Sequence, residues 1–183
     1  MKIFDCTTYF EEDMMMDLRF NILDPFVDKF VVCEARFTHS GNEKNINFNK
    51  KNYPKFEDKI IHLVLNTDPV EKNIKSQKNP HWLRQSSINR IEAQRNYISK
   101  ALAEADQNDY IIYSDNDEIP NLEKFDFKKI KEKIILFQQD MFYYKFNLKL
   151  PNLVWSGTKG CRKKDLINPQ WLRNIKDRKY SFF

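Results

Sequence analysis

The stretch Tyr110-Ile111-Ile112-Tyr113-Ser114-Asp115-Asn116-Asp117-Glu118-Ile119-Pro120 joins four consecutive apolar residues to three carboxylates within four positions. A short, uninterrupted apolar run is the pattern of a strand buried on both faces, as in a parallel sheet covered by helices. Such a strand carries Asp115, Asp117 and Glu118 to its carboxyl end, where open α/β sheets bind their ligands. Three acidic side chains this close repel one another unless a cation or a basic group compensates, and hard divalent cations prefer carboxylate oxygen. Asp115 and Asp117 are one residue apart, so in an extended chain they share a face and are the candidate ligands of one Mn2+ or Mg2+. Glu118 then faces elsewhere. The competing reading is an acidic turn that caps a helix beginning near Asn121-Leu122.

Upstream, strands and helices alternate. Ile3 to Thr7 reads as a strand, and Glu11 to Leu23 as a helix, with Met14, Met15, Leu18, Ile22 and Leu23 at helical spacing and Asp24-Pro25 as its stop. Phe30 to Cys33 and Ile60 to Leu65 read as two further strands. Between them the polar segment Thr38 to Glu57, holding Gly41 and Pro54, reads as a long loop over the strand ends. From Trp82 to about Ala105 the apolar positions Ile88, Ile91, Ile98 and Leu102 form one face of a long helix entered through Pro80, with Arg95 near that face. Downstream, Phe127 to Lys133 reads as helical. Alternation from Phe142 to Leu150 predicts a strand with one buried face. The whole reads as one α/β domain over residues 1–183, with a mainly parallel, mixed sheet flanked by helices.

Composition narrows the function classes. With 183 residues and 41% hydrophobic side chains the chain has material for one core. Its 31 basic residues are set against 26 acidic ones, a net +5. That balance gives no strong polyanion-binding field, so no nucleic-acid partner is expected. Cys6, Cys33 and Cys161 show neither metal-ligand spacing nor a disulfide framework and are expected as buried free thiols. No apolar run reaches the roughly 20 residues of a membrane span, and the sequence reads as cytoplasmic.

Six motifs in order carry a resemblance: Ile3-Phe4-Asp5-Cys6, Leu23-Asp24-Pro25, Val32-Cys33-Glu34-Ala35, Thr38-His39-Ser40-Gly41, Gln94-Arg95-Asn96 and Ser114 to Pro120. This series resembles glycosyltransferase family 17, over roughly residues 1 to 165. The resemblance implies a GT-A-like nucleotide-sugar-binding domain and an inverting N-acetylglucosaminyltransferase-like enzyme that uses UDP-N-acetylglucosamine and a glycan hydroxyl acceptor. Carried over by motif, Asp115 and Asp117 look like the metal and diphosphate pair, Glu34 like a nucleotide or ribose contact, and Arg95 like a diphosphate partner. Asp5, His39 and Gly41 look like further donor contacts. From the residues alone, Asp5 is equally a strand-end cap, Arg95 a helix-surface ion pair, and His39 with Gly41 a plain turn. Trp155-Ser156-Gly157-Thr158 and Trp171 offer either an aromatic platform for a sugar ring or core packing. The family's chains continue into a Gly-Gly-Trp-His-x-Ser-like segment that is absent after Phe183. The chain therefore reads as cut short, with Tyr180, Phe182 and Phe183 as an exposed apolar end.

The chemistry expected is sugar transfer from a nucleotide donor to a hydroxyl, with a metal supporting the departing diphosphate and Glu118 as the candidate base. Two alternatives share these residues: a metal-dependent phosphodiesterase or nuclease, and a non-catalytic module that binds a sugar nucleotide or glycan.

Overall fold

The computed structural model describes residues 1–70, 79–145 and 147–177. Four parallel strands, β1 (Ile3–Tyr9), β2 (Lys29–Ala35), β3 (Ile60–Leu65) and β4 (Tyr110–Tyr113), form the sheet with β5 (Ile134–Leu136) and β8 (Lys159–Arg162). The order is β3-β2-β1-β4-β8-β5, and β8 runs antiparallel to both of its neighbours. β6 (Gln139–Phe142) and β7 (Lys149–Trp155) form a separate antiparallel hairpin. The expected α/β domain with a mainly parallel sheet is thus the fold.

The sheet separates two apolar layers. One holds Phe20, Phe30, Phe48, Tyr53 and Phe56 on the side of α1 (Asp13–Leu23), and the other holds Cys6, Val31, Ile98, Leu102 and Tyr113 on the side of α2 (Pro80–Tyr97). Phe20 lies 4.7 Å from Phe30 and 5.1 Å from Tyr53 between ring centroids; burying such a side chain contributes roughly 1.5–3 kcal/mol. Cys6, Cys33 and Cys161 are buried free thiols, as expected.

Helix ends follow local chemistry. Asn79 caps α2 through its side-chain oxygen, which accepts from the His81 and Trp82 amides, and Pro80 fills the first turn. Asn168 does the same for α3 (Pro169–Asn174), accepting from the Trp171 amide.

Several expectations need correction. α1 turns Met16, Arg19, Phe20 and Leu23 inward and leaves Met14, Leu18 and Ile22 exposed. The helix is rotated because a buried ion pair draws Arg19 toward β1. The long helix ends at Tyr97 and tightens into a 3-10 turn from Ile98 to Glu104. Ile98 and Leu102 are buried, but the buried residues of α2 itself are Ser86, Arg90 and Gln94, and Ile88 is exposed. Gln94 earns its place by donating to the carbonyls of Cys33 at 2.8 Å and Tyr9 at 3.3 Å.

Phe127 to Lys133 is not helical. Phe125 and Phe127, alternate residues, both pack into the core, Phe127 against Tyr110 and Phe125 against Phe137, and a helix would send them about 200° apart. The single strand expected over Phe142 to Leu150 is a hairpin instead. The chain reverses where Tyr143 donates to the Leu148 carbonyl, Phe142 pairs with Lys149, and β7 is exposed at every position. The apolar end at Tyr180 to Phe183 lies outside the described residues.

Candidate functional site at the carboxyl end of β4

β4 is buried at all four positions and delivers Ser114 and the acidic loop to the sheet's edge. Beneath that loop lies Arg19, which is fully buried. Its guanidinium forks onto Asp5 at 2.6 and 2.7 Å, reaches Ser114 Oγ at 2.6 Å, and donates to the carbonyls of Asp115, Asn116 and Glu118 at 3.3 Å. A planar fork with five donors suits this cradle, and an ammonium would not. Asp5 thus serves the loop from below rather than facing the cleft.

Above, Asp115 collects two cations. Arg95 from α2 donates to Oδ1 at 3.0 Å, and Arg173 from α3 donates to Oδ2 at 2.9 Å through Nη2 and 3.3 Å through Nε. Burial works to raise the Asp115 pKa, and the two guanidinium groups outweigh it, holding the carboxyl below the usual range. Arg173 also reaches Glu118 Oε1 at 3.2 Å. Glu118 is nearly buried. It accepts from the Asp115 amide at 3.0 Å and from the Trp155 indole at 2.6 Å, so it braces the loop against β7. Asp117 is exposed and bears no hydrogen bond or ion pair among the described residues. The Nε of Arg95 is buried without a partner among the described residues.

Asp115 stands between two hollows. One, of about 200 Å³, is lined by Thr8, Phe10, Glu12, His39 and Arg95, and it shares Phe10, Glu12 and His39 with a neighbouring cleft of about 690 Å³. The other, of about 720 Å³, is lined by Asp117, Glu118, Arg173, Trp155 and the β6–β7 hairpin. Partial desolvation and the nearby Arg95 shift the His39 pKa below its ordinary value.

Residues 1–167 match the family model of glycosyltransferase family 17. The chain belongs to that family. No curated protein and no solved structure matches it. Membership makes it a glycosyltransferase, with a nucleotide-sugar donor and an acceptor as its partners. Among the described residues, no helix of this family 17 glycosyltransferase is long and apolar enough to cross a membrane.

The structure brings Asp115, Asp117, Glu118, Arg95 and His39 to adjoining surfaces. It does not bring Glu34 or Gly41 there. Glu34 is sealed under the Lys44 to Phe48 segment, accepting from the Lys44 ammonium and from the amides of Asn47 at 2.9 Å and Phe48 at 3.0 Å. Gly41 has φ of 89° and lies against the Arg90 guanidinium, where a Cβ would collide. Trp171 packs in the α2-side core.

Three contributors were not legible in the sequence of this glycosyltransferase: Arg19, Arg173 and Lys159. Lys159 is buried and donates to the carbonyls of Gly157 at 3.1 Å and Arg173 at 2.9 Å, which ties β8 to the end of α3. Burial, with Arg173 close by, pulls its pKa down to about 8. Gly157 is needed beside it, since a Cβ there would land on the Glu118 carboxyl and the Trp155 indole. The only sequence signal for Arg19 was an arginine inside an otherwise apolar helical stripe.

Proposed function

We propose that this family 17 glycosyltransferase is a metal-assisted enzyme that moves a sugar from a nucleoside diphosphate donor, UDP-N-acetylglucosamine by family resemblance, to a glycan hydroxyl with inversion. The observation that carries the reading is the position of Asp115, shared by two arginines and lying between two clefts. The nucleoside belongs on the Thr8, Phe10 and His39 side, the diphosphate at Arg95 and Arg173, and the sugar toward Asp117. In the reaction, the acceptor oxygen forms a bond to the anomeric carbon as the bond from that carbon to the phosphate oxygen breaks. The diphosphate leaves with the electron pair, and the hydroxyl proton passes to a base.

The carboxylates that would hold a divalent cation are Asp117 and Asp115. Asp117 has both oxygens free among the described residues, and Asp115 Oδ1 accepts one N–H, so lone pairs remain on each. Among the described residues no three His, Cys, Asp or Glu side chains group as a cage; Mn2+ or Mg2+ here would be held by one or two carboxylates together with substrate phosphates. Such a cation would offset the charge developing on the departing diphosphate. Arg95 and Arg173 supply further positive charge to the leaving group.

The experiment is a donor screen by thermal melting with and without Mn2+. A ligand at a hundredfold excess over Kd adds about 2.7 kcal/mol of stability. UDP and UDP-sugars should raise the melting temperature and depend on the metal. If no nucleotide sugar does so, the reading fails.

A further inference from the structure

The β6–β7 hairpin stands apart from the main sheet, with β7 exposed along its whole length. Half of the exposed large hydrophobic side chains among the described residues fall between Phe142 and Trp155. An isolated two-stranded hairpin is marginal in water, and exposed hydrophobic surface on this scale marks a surface that something covers. Tyr144, near the reversal, is 89% exposed and has φ of 64°, a left-handed backbone that a bulky residue adopts only at a cost.

The hairpin also lines the 720 Å³ cleft that Asp117 and Glu118 line. Phe142, Tyr144 and Trp155 line it together with Gln139, Asp140 and Lys145. Aromatic faces interleaved with short polar and charged groups offer two things at once: apolar area and directional hydrogen bonds. A pyranose needs both, since its axial C–H faces are apolar and its rim is hydroxyl.

We infer that the hairpin wall of this cleft is the acceptor subsite and takes a pyranose, whose C–H face lies on the aromatic side chains and whose hydroxyls meet Asp140, Lys145 and Gln139. The inference rests on the nucleotide-sugar reading above. Three observations select a carbohydrate over other occupants. The hollow is continuous with the carboxylate loop, so a hydroxyl held there arrives on the side of Asp115 away from the nucleoside cleft. Asp117 lines it with its carboxylate free among the described residues, and Asp140 is paired with Lys149 at 2.8 Å, so the wall is not the cationic face that an anionic lipid surface needs. Trp155 is fixed in place, its indole donating to Glu118 at 2.6 Å and the Arg173 guanidinium lying 5.9 Å from its ring, so the platform is preorganised rather than loose.

The test uses the full chain labelled with 15N and follows the three tryptophan indole N–H signals, with Trp155 assigned by its loss in Trp155→Phe. The probes are the methyl glycosides of glucose, galactose, mannose and N-acetylglucosamine and their short oligosaccharides, titrated with UDP and Mn2+ present. At least one sugar should move the Trp155 signal and leave Trp82 in place. Phe142→Ala and Tyr144→Ala, both at exposed positions, should each weaken that sugar roughly tenfold, or about 1.4 kcal/mol, while the Kd for UDP moves less than twofold. UDP binding without any sugar response at Trp155 overturns the subsite and leaves the donor reading standing. Failure of UDP to bind the wild type sinks the donor reading instead. Tyr144-dependent binding to phosphatidylglycerol vesicles, or concentration-dependent dimerisation lost in Tyr144→Ala, also overturns the inference, because either would give the hairpin a different occupant.

Discussion

Glu34→Gln isolates one buried charge whose worth can be worked out. The Glu34 carboxylate is fully buried, a cost that alone would raise its pKa. His62, the Lys44 ammonium and the amides of Asn47 and Phe48 more than offset this, taking it from 4.5 to about 2. A difference of about 2.5 units corresponds to roughly 3 kcal/mol favouring the folded state at neutral pH, taken as an upper bound. The sign follows from proton binding. Between pH 4.5 and 2 the unfolded chain binds the proton and the folded one does not, so the contribution is complete above about pH 4.5 and is lost as pH falls through about 2. Glu34→Gln keeps the shape but leaves Lys44 near a neutral amide. Urea unfolding at pH 7 should therefore show the variant about 2–3 kcal/mol less stable, and the gap from wild type should narrow steadily below pH 4.5. A gap that is the same at pH 7 and pH 3 would refute the claim that this carboxylate is held ionised.

Further outcomes follow from the loop's supports. Arg19→Lys should lower stability by about 3 kcal/mol or more, since the ammonium cannot fork onto Asp5 and span three carbonyls; calorimetric melting reads it, and a change under 1 kcal/mol would deny the cradle. Gly157→Ala should displace Glu118 and Trp155, visible as a shift of the Trp155 indole N–H signal, and an unmoved signal would contradict the close approach. Asn168→Ala should cost about 1 kcal/mol through the lost α3 cap and should weaken UDP binding by loosening Arg173, both measurable in one ligand-dependent melting series.

The sequence shows the sheet far better than the site. Phe30 to Cys33 in β2 and the whole of β4 are continuous apolar runs, and burial on both faces makes such runs hard to misread. Helix faces were harder. In α1 and α2 the inward positions include Arg19, Arg90 and Gln94, whose value lies in partners distant in sequence such as Asp5, Asp68 and the Cys33 carbonyl. No hydrophobic periodicity reports such bonds. At the hairpin, alternation from Phe142 to Leu150 mimics one strand, although the chain turns at Tyr143 to Leu148. Around the candidate site, the placement of Asp115 and Asp117 at the end of a buried strand was legible, and so was that of Arg95 beside the same cleft. Arg173 was not, because nothing in Pro169–Asn174 distinguishes it from any helix-surface arginine until the fold sets it on Asp115. Glu34 shows the converse. A strand-end carboxylate looks like a ligand contact until its own loop is seen to close over it.

The most direct test of the donor-site assignment is calorimetric titration of UDP-N-acetylglucosamine and UDP into wild type and Asp117→Asn, with and without Mn2+. Asp117 is exposed, so the variant should melt within about 0.5 kcal/mol of wild type. Wild type should bind in a metal-dependent way, and the variant should lose most of that metal dependence. Equal, metal-dependent binding by both would contradict a role for Asp117 at the donor site.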